Sequence, residues 1–354
     1  MTPTSSYTSS GTGRRSQEFT PAAALRGFLE HSGRRAAELS PGYEHVWECV
    51  ARVTGPGDGL QQGLVMAAAE SYPARPTRPV LNAVAAAFEL LRASLELRDG
   101  VQTAPGGATP SDHSPNSATM ARSAHTDAAG NADDALASDL ALSGAYRMIA
   151  TSHAPESRLL KLLDILDHAS FHAAAGDRMA AEHARRAGAV SRQEVLDALR
   201  IGSAVPCFEA PLRAGAVLGG APTAQVTALA QAGRALGVAH ALAGELSVCA
   251  GSEVDDAPAR FLTSGRRTVL GCLVESGPHG PAWRALRERC VQSTASPDNV
   301  AHARDLLSRS GADAAVARMV EIAVERARDA MTAGDLPAPL TERLTGWAER
   351  ELIR

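Results

Sequence analysis

Apolar residues along most of this chain recur every three to four positions, the spacing that puts them on one face of an α-helix. The stretch from Arg78 to Arg98 is a clear case, with Val80, Val84, Phe88, Leu91 and Leu95 on one stripe. The same period predicts helices from Pro21 onward, through Glu44–Val53 and Leu60–Ser71. Further on it predicts helices at 135–151, 156–175, 177–187, 191–201, 203–218 and 223–248. After a polar loop at 249–258 come helices at 259–275, 282–291, 298–310, 312–331 and 340–353. Pro21 suits a first helical turn, where its missing N–H costs nothing. Ser191 with Glu194 three residues on reads as a capping box, and Thr223 opens the longest apolar pattern. No alternating period and no fixed repeat is present, so the fold class is all-α.

Two stretches lack the pattern. Residues 1–20 are rich in Ser, Thr and Gly, the composition of a disordered tail. From about 103 to 134 the chain is mostly small or polar, and reads as a disordered insertion with Asp133 and Asp134 capping the next helix. The expected organisation is one helical domain over 21–354, interrupted by that insertion.

Composition narrows the function. Hydrophobic residues make up 45% of 354 positions and aromatics 4%, with Ala and Leu abundant and little to build strands from. The net charge is −4 with both signs interspersed, which argues against a nucleic-acid partner. No apolar run approaches the roughly 20 residues of a membrane span. Arg14 and Arg15 precede no apolar export segment, so a cytoplasmic location is expected. Cys49, Cys207, Cys249, Cys272 and Cys290 form no CxxC pair and read as buried or free thiols.

Four segments, in order, carry a resemblance. The run from Gly202 to Ala221, with Glu209-Ala-Pro-Leu-Arg213 at its centre, closely resembles a segment of the trans-isoprenyl diphosphate synthases (polyprenyl synthetases). Phe88 to Thr103 resembles the helix bearing that family's first Asp-rich motif, and Leu236 to Val248 the helix bearing the second. Leu262 to Leu270 resembles the later Gly-Lys-Thr stretch. The resemblance implies an isoprenoid-synthase-like bundle around a central cavity. It also implies Mg²⁺ ions held by carboxylates on facing helices, a prenyl diphosphate ligand, and a homodimer or a heterodimer with an active homologue.

The motifs depart from the family pattern where its chemistry is done. Of the first Asp-rich motif only Asp99 remains, with Gly100 and Thr103 at the other Asp positions. In the second, Gly244 and Glu245 replace the Asp pair and Val248 the last Asp. The basic grip for isopentenyl diphosphate falls at Pro56–Gln62, which carries no cation. Gly202 stands in place of a Lys, and Gly176-Asp177 in place of a Gly-Gln. Asp99 and Glu245 are therefore the candidate metal ligands, and Arg98, Arg266 and Arg267 the candidate diphosphate-binding cations. Ser94, Leu95, His240, Gly244 and Val248 are the expected cavity lining. The acidic loop at Glu253, Asp255 and Asp256 reads as solvated. The expectation is a chain unable to run ordinary Mg²⁺-dependent elongation, serving as a non-catalytic subunit or prenyl-ligand binder. The alternative is a divergent enzyme, prenyltransferase or terpene-cyclase-like, acting on an allylic diphosphate.

Overall fold

The computed structural model describes residues 20–54, 59–103, 128–250, 262, 264–292 and 296–353. Among these there is no strand. The helices are α1 (Pro21–Ala37), α2 (Pro41–Val53), α3 (Leu60–Glu70), α4 (Arg78–Thr103), α5 (Ala128–Ala150), α6 (Glu156–Arg185) and α7 (Arg192–Leu199). A π-helical segment, Arg200–Glu209, follows directly. Then come α8 (Ala210–Gly219), α9 (Thr223–Ala250), α10 (Val269–Glu275), α11 (Gly280–Gln292), α12 (Pro297–Ser310), α13 (Ala312–Ala333) and α14 (Ala338–Glu351).

Local chemistry starts and stops these helices where the pattern does. Thr20 accepts the Ala23 amide at 3.1 Å, with Pro21 opening α1. Ser191 and Glu194 form the reciprocal capping box at α7. Thr268 caps α10 by accepting the Gly271 amide at 3.0 Å. Gly220, at φ 79°, closes α8 in the left-handed conformation that suits glycine.

Two apolar clusters form the core. Phe88, Leu90, Leu91, Ile149, Leu162 and Leu166 centre the one built from α1–α6 and α8. Phe208, Leu212, Leu229, Leu236, Leu242 and Trp283 centre the other, where α9 packs on α13 and on the π-helical segment. Alanines at the contacts let the helices approach closely: Ala85, Ala86 and Ala87 are all fully buried.

Several expectations are corrected. α5 begins at Ala128, so 128–134 is helix and not insertion; 104–127 lies outside the described residues. Asp133 and Asp134 do not cap α5 but lie inside it, and Asp134 pairs with Arg52 at 3.0 Å. Gly176 does not break a helix: α6 runs through it for 30 residues. The helix expected over 259–275 is interrupted: Leu262 is helical, residues 264–268 form an irregular turn in which Gly265 has φ 67°, and α10 follows, with 259–261 and 263 outside the described residues. The tail, residues 1–19, and the acidic loop at Glu253, Asp255 and Asp256 lie outside the described residues.

Candidate functional site

The last turns of α4 carry Arg98 and Asp99 toward α6. Arg98 Nη2 lies 2.8 Å from Asp177 Oδ2. Burial holds the Asp177 carboxyl above the usual carboxylate range, against the pull of the Arg98 and then the Arg266 guanidinium. Asp99 belongs to the same neighbourhood, since it and Asp177, along with Arg92 and Glu89, act on the partly buried Cys207 thiol. Burial pushes that thiol up to about 12, leaving it inert as a nucleophile near neutral pH. Arg98, Asp99, Asp177 and Arg266 thus share one electrostatic site, drawn from α4, α6 and the turn before α10.

One turn earlier on α4 is an ionic group that sequence reading did not single out. Arg92 donates to Glu89 at 2.7 Å, to Glu96, and to the Val53 carbonyl at 2.6 Å. The i, i+3 and i+4 spacing of these three residues was the available signal. Ser94 turns to the neighbouring helix, where its hydroxyl lies 3.2 Å from that of Ser138 on α5 and its carbonyl accepts from it at 2.9 Å. Leu95 is half-buried.

On α9, His240 sits between aromatic rings, 5.1 Å from Phe208 and 6.0 Å from Trp347. Gly244, one turn on, faces open space: a Cβ there would meet nothing within 4 Å. Val248 is in the last turn of α9, its side chain outside the described residues. Glu245 is buried, and its two carboxylate oxygens accept the backbone amides of Val269 and Leu270 at 3.2 and 3.0 Å. These are orphan donors of the first turn of α10, so Glu245 ties α9 to the start of that helix. Burial raises its carboxyl to about 7, with the two amides and Arg266 pulling the other way.

Arg266 and Arg267 have different surroundings. Arg266 is half-buried and acts on both Asp177 and Glu245. Arg267 is buried and bound on all sides by the protein. It holds Glu275 with both carboxylate oxygens at 2.9 and 3.1 Å, and donates to the carbonyls of Arg186 and Gly188 at 3.0 and 3.2 Å. The Arg267 fork clamps the end of α6 to α10, away from the Arg98–Asp177 pair.

The π-helical segment packs on α6 through glycine. A Cβ on Gly176 would lie 2.1 Å from the Gly202 Cα, and one on Gly202 2.9 Å from the Gly176 Cα. No side chain fits at either position without the helices parting. The contact fixes Asp177, the next residue, in front of Arg98. Downstream, the buried Glu209 carboxylate receives Arg213 at 3.1 Å and also Arg234, so the Glu209–Arg213 segment serves the packing of α8 and α9.

Among the described residues, these side chains do not fit a magnesium site of the kind the resemblance implies. Among the described residues no three His, Cys, Asp or Glu side chains come together as a metal-holding group. Glu245 directs both oxygens to backbone amides, and Gly100, Thr103 and Gly244 bring no oxygen-bearing acid.

No protein-family model and no curated protein sequence matches the chain. Solved structures do. Geranylgeranyl pyrophosphate synthase from Corynebacterium glutamicum, complexed with isoprenyl diphosphate and magnesium, is similar at a TM-score of 0.78 and 21% identity, over 95% of this chain and 99% of that one. A polyprenyl synthase from Caulobacter crescentus, complexed with calcium and isoprenyl diphosphate, follows at 0.69 and 22%, covering 94% and 98%. Decaprenyl diphosphate synthase from Rhodobacter capsulatus gives 0.69 and 22%, covering 94% and 96%. With helix order, length and topology shared almost end to end, this chain has the all-α fold of the trans-isoprenyl diphosphate synthases.

Proposed function

We propose that the protein binds a prenyl diphosphate and does not run Mg²⁺-dependent chain elongation, acting in isoprenoid metabolism as a non-catalytic subunit or ligand binder. The observation that carries this reading is the Arg98–Asp177 ion pair in the field of Arg266, while among the described residues no three acidic, His or Cys side chains converge as a metal-holding group. Guanidinium groups hold phosphate oxygens directly through forked, charge-assisted hydrogen bonds, so an anion can be held there without a bridging cation. Elongation asks for more. Each preorganised group lost from a site that stabilises developing charge costs about 10² to 10³ in rate, and several are absent here. Loss of roughly 10⁴ or more in elongation rate is the natural sum, even with strong non-additivity.

Calorimetry with farnesyl diphosphate tests the proposal, run in EDTA and again in Mg²⁺, alongside product analysis with added isopentenyl diphosphate. The expected result is binding that survives EDTA, with no longer diphosphate formed. Efficient elongation sinks the proposal, and so does binding that vanishes in EDTA. The exposed Phe171 and Leu160 on α6 support association with another subunit, either a second copy or an active synthase.

Asp99 favours a second reading. It is retained in the Arg98–Asp177 neighbourhood, and could assist ionisation of a single allylic diphosphate to an alcohol or hydrocarbon. Such turnover, abolished by Asp99→Ala, is what that reading requires.

A further inference from the structure

The start of α6, the end of α8 and the first turn of α9 enclose a cavity of about 310 Å³. That volume is at the small end of pockets that take organic ligands. The Arg98–Asp177 pair is remote from it: the rise of 1.5 Å per residue along α6 puts Asp177 about 24 Å from Lys161.

Three cationic side chains line the cavity, Arg158, Lys161 and Arg213, against one carboxylate, Asp164. Asp164 neutralises none of them, since it forms no ion pair among the described residues. Arg158 donates from Nη1 to the Leu218 carbonyl at 2.8 Å, which holds its guanidinium at the cavity and leaves the other donors of the fork unused. Arg213 donates to Glu209 at 3.1 Å, but that carboxylate also takes Arg234, so two guanidinium groups share one negative charge. Lys161 is exposed, has no hydrogen-bond or ion-pair partner among the described residues, and is the only lysine of the chain.

The start of α9 adds to this field. Val226 has the first amide of that helix to find a backbone acceptor, Pro222 at 3.0 Å, and both Thr223 and Val226 line the cavity. The positive end of a long helix thus adjoins the three cations. Like charges held around one hollow repel each other, and a bound anion offsets that cost. Two guanidinium forks and a compact ammonium suit the three oxygens and near-double charge of a phosphate group. Ile165, Val217 and Val226 give the rest of the wall an apolar surface for a short carbon body.

We propose that this cavity binds a small phosphate monoester, its phosphoryl group among Arg158, Lys161 and Arg213 and its carbon body against Ile165, Val217 and Val226. The site is independent of the prenyl diphosphate reading, and neither needs the other.

The test is calorimetric titration of the full chain at low ionic strength with phenyl phosphate, benzoate and inorganic phosphate. Phenyl phosphate is expected to bind at this site about tenfold more tightly than benzoate, which carries one charge, or inorganic phosphate, which lacks the carbon body. Lys161→Gln, at an exposed position that holds nothing else, weakens it about tenfold, and Asp164→Asn tightens it about threefold. Arg266→Met, remote from this cavity, leaves it unchanged. Because Lys161 is the only lysine, its reductive methylation gives a second readout by peptide mass spectrometry, with the chain's α-amine as reference. Phenyl phosphate should slow that reaction. Benzoate binding as tightly as phenyl phosphate overturns the proposal, as does unchanged affinity in Lys161→Gln. Binding lost in Arg266→Met assigns the phosphate to the other site and overturns it too. Absence of both heat and protection of Lys161 rules the site out.

Discussion

The Arg98 guanidinium reaches across from α4 to meet the Asp177 carboxylate of α6 at 2.8 Å, in the field of Arg266. Asp177 therefore stands on Arg98, within the field of Arg266, in the manner of an anionic ligand. An incoming diphosphate must displace it, and the carboxylate competes from within. Asp177→Asn removes the competing charge while keeping the shape, and should tighten inorganic diphosphate binding about tenfold, some 1.4 kcal/mol. Isothermal titration reads this directly; equal affinity in wild type and variant would show that Asp177 does not compete.

Glycines at two positions should respond in opposite directions. Gly244→Ala places a methyl into open space within a long helix, and is expected to stabilise the protein by about 0.5 to 1 kcal/mol. Gly202→Ala drives a methyl against the α6 backbone and should cost about 3 kcal/mol or more. Urea denaturation of the pair checks both signs, and similar effects at the two sites would contradict the packing described.

Arg267→Met tests whether that arginine serves structure. It strands the buried Glu275 carboxylate, with Arg287 still 3.6 Å away, and releases the carbonyls of Arg186 and Gly188. A loss of about 3 kcal/mol is expected, with diphosphate affinity of the folded fraction unchanged. Arg266→Met should do the reverse, sparing stability and weakening diphosphate binding.

Glu245 makes stability depend on pH. Its carboxyl rises from 4.5 to about 7 in the fold. A raised value means that its stabilising contribution is complete below the unfolded value and is lost as pH rises through about 7. The stability of wild type minus that of Glu245→Gln should therefore fall between pH 5 and pH 8.5, by up to about 3 kcal/mol. Paired urea melts at the two pH values measure it, and a difference independent of pH would exclude the effect.

The helical class and most boundaries were legible because a 3.6-residue apolar period and a capping box are local signals. Ser191 with Glu194 is the clearest instance. What failed was non-local. Gly176 reads as a helix break in sequence, yet it sits mid-helix because another backbone needs the room. The start of α5 is hidden in the small residues of 128–131, whose helical state no apolar stripe announces. In the site, Arg98 and Arg266 could be named from motif position. Asp177 could not be placed as their partner, because residues 79 and 89 positions apart meet only through packing. Arg267 is adjacent to Arg266, and sequence cannot say that one guanidinium faces the site while the next is consumed by carbonyls and Glu275.

The glycine pair between α6 and the π-helical segment also decides which charges this site can be given. At position 244 an added Cβ meets nothing within 4 Å, so a side chain can start there without moving a neighbour. Position 202 cannot accept the lysine that the resemblance places there until two helices have first moved apart. The contact acts as a filter: it leaves α9 open to a new side chain and shuts the π-helical segment to a cation.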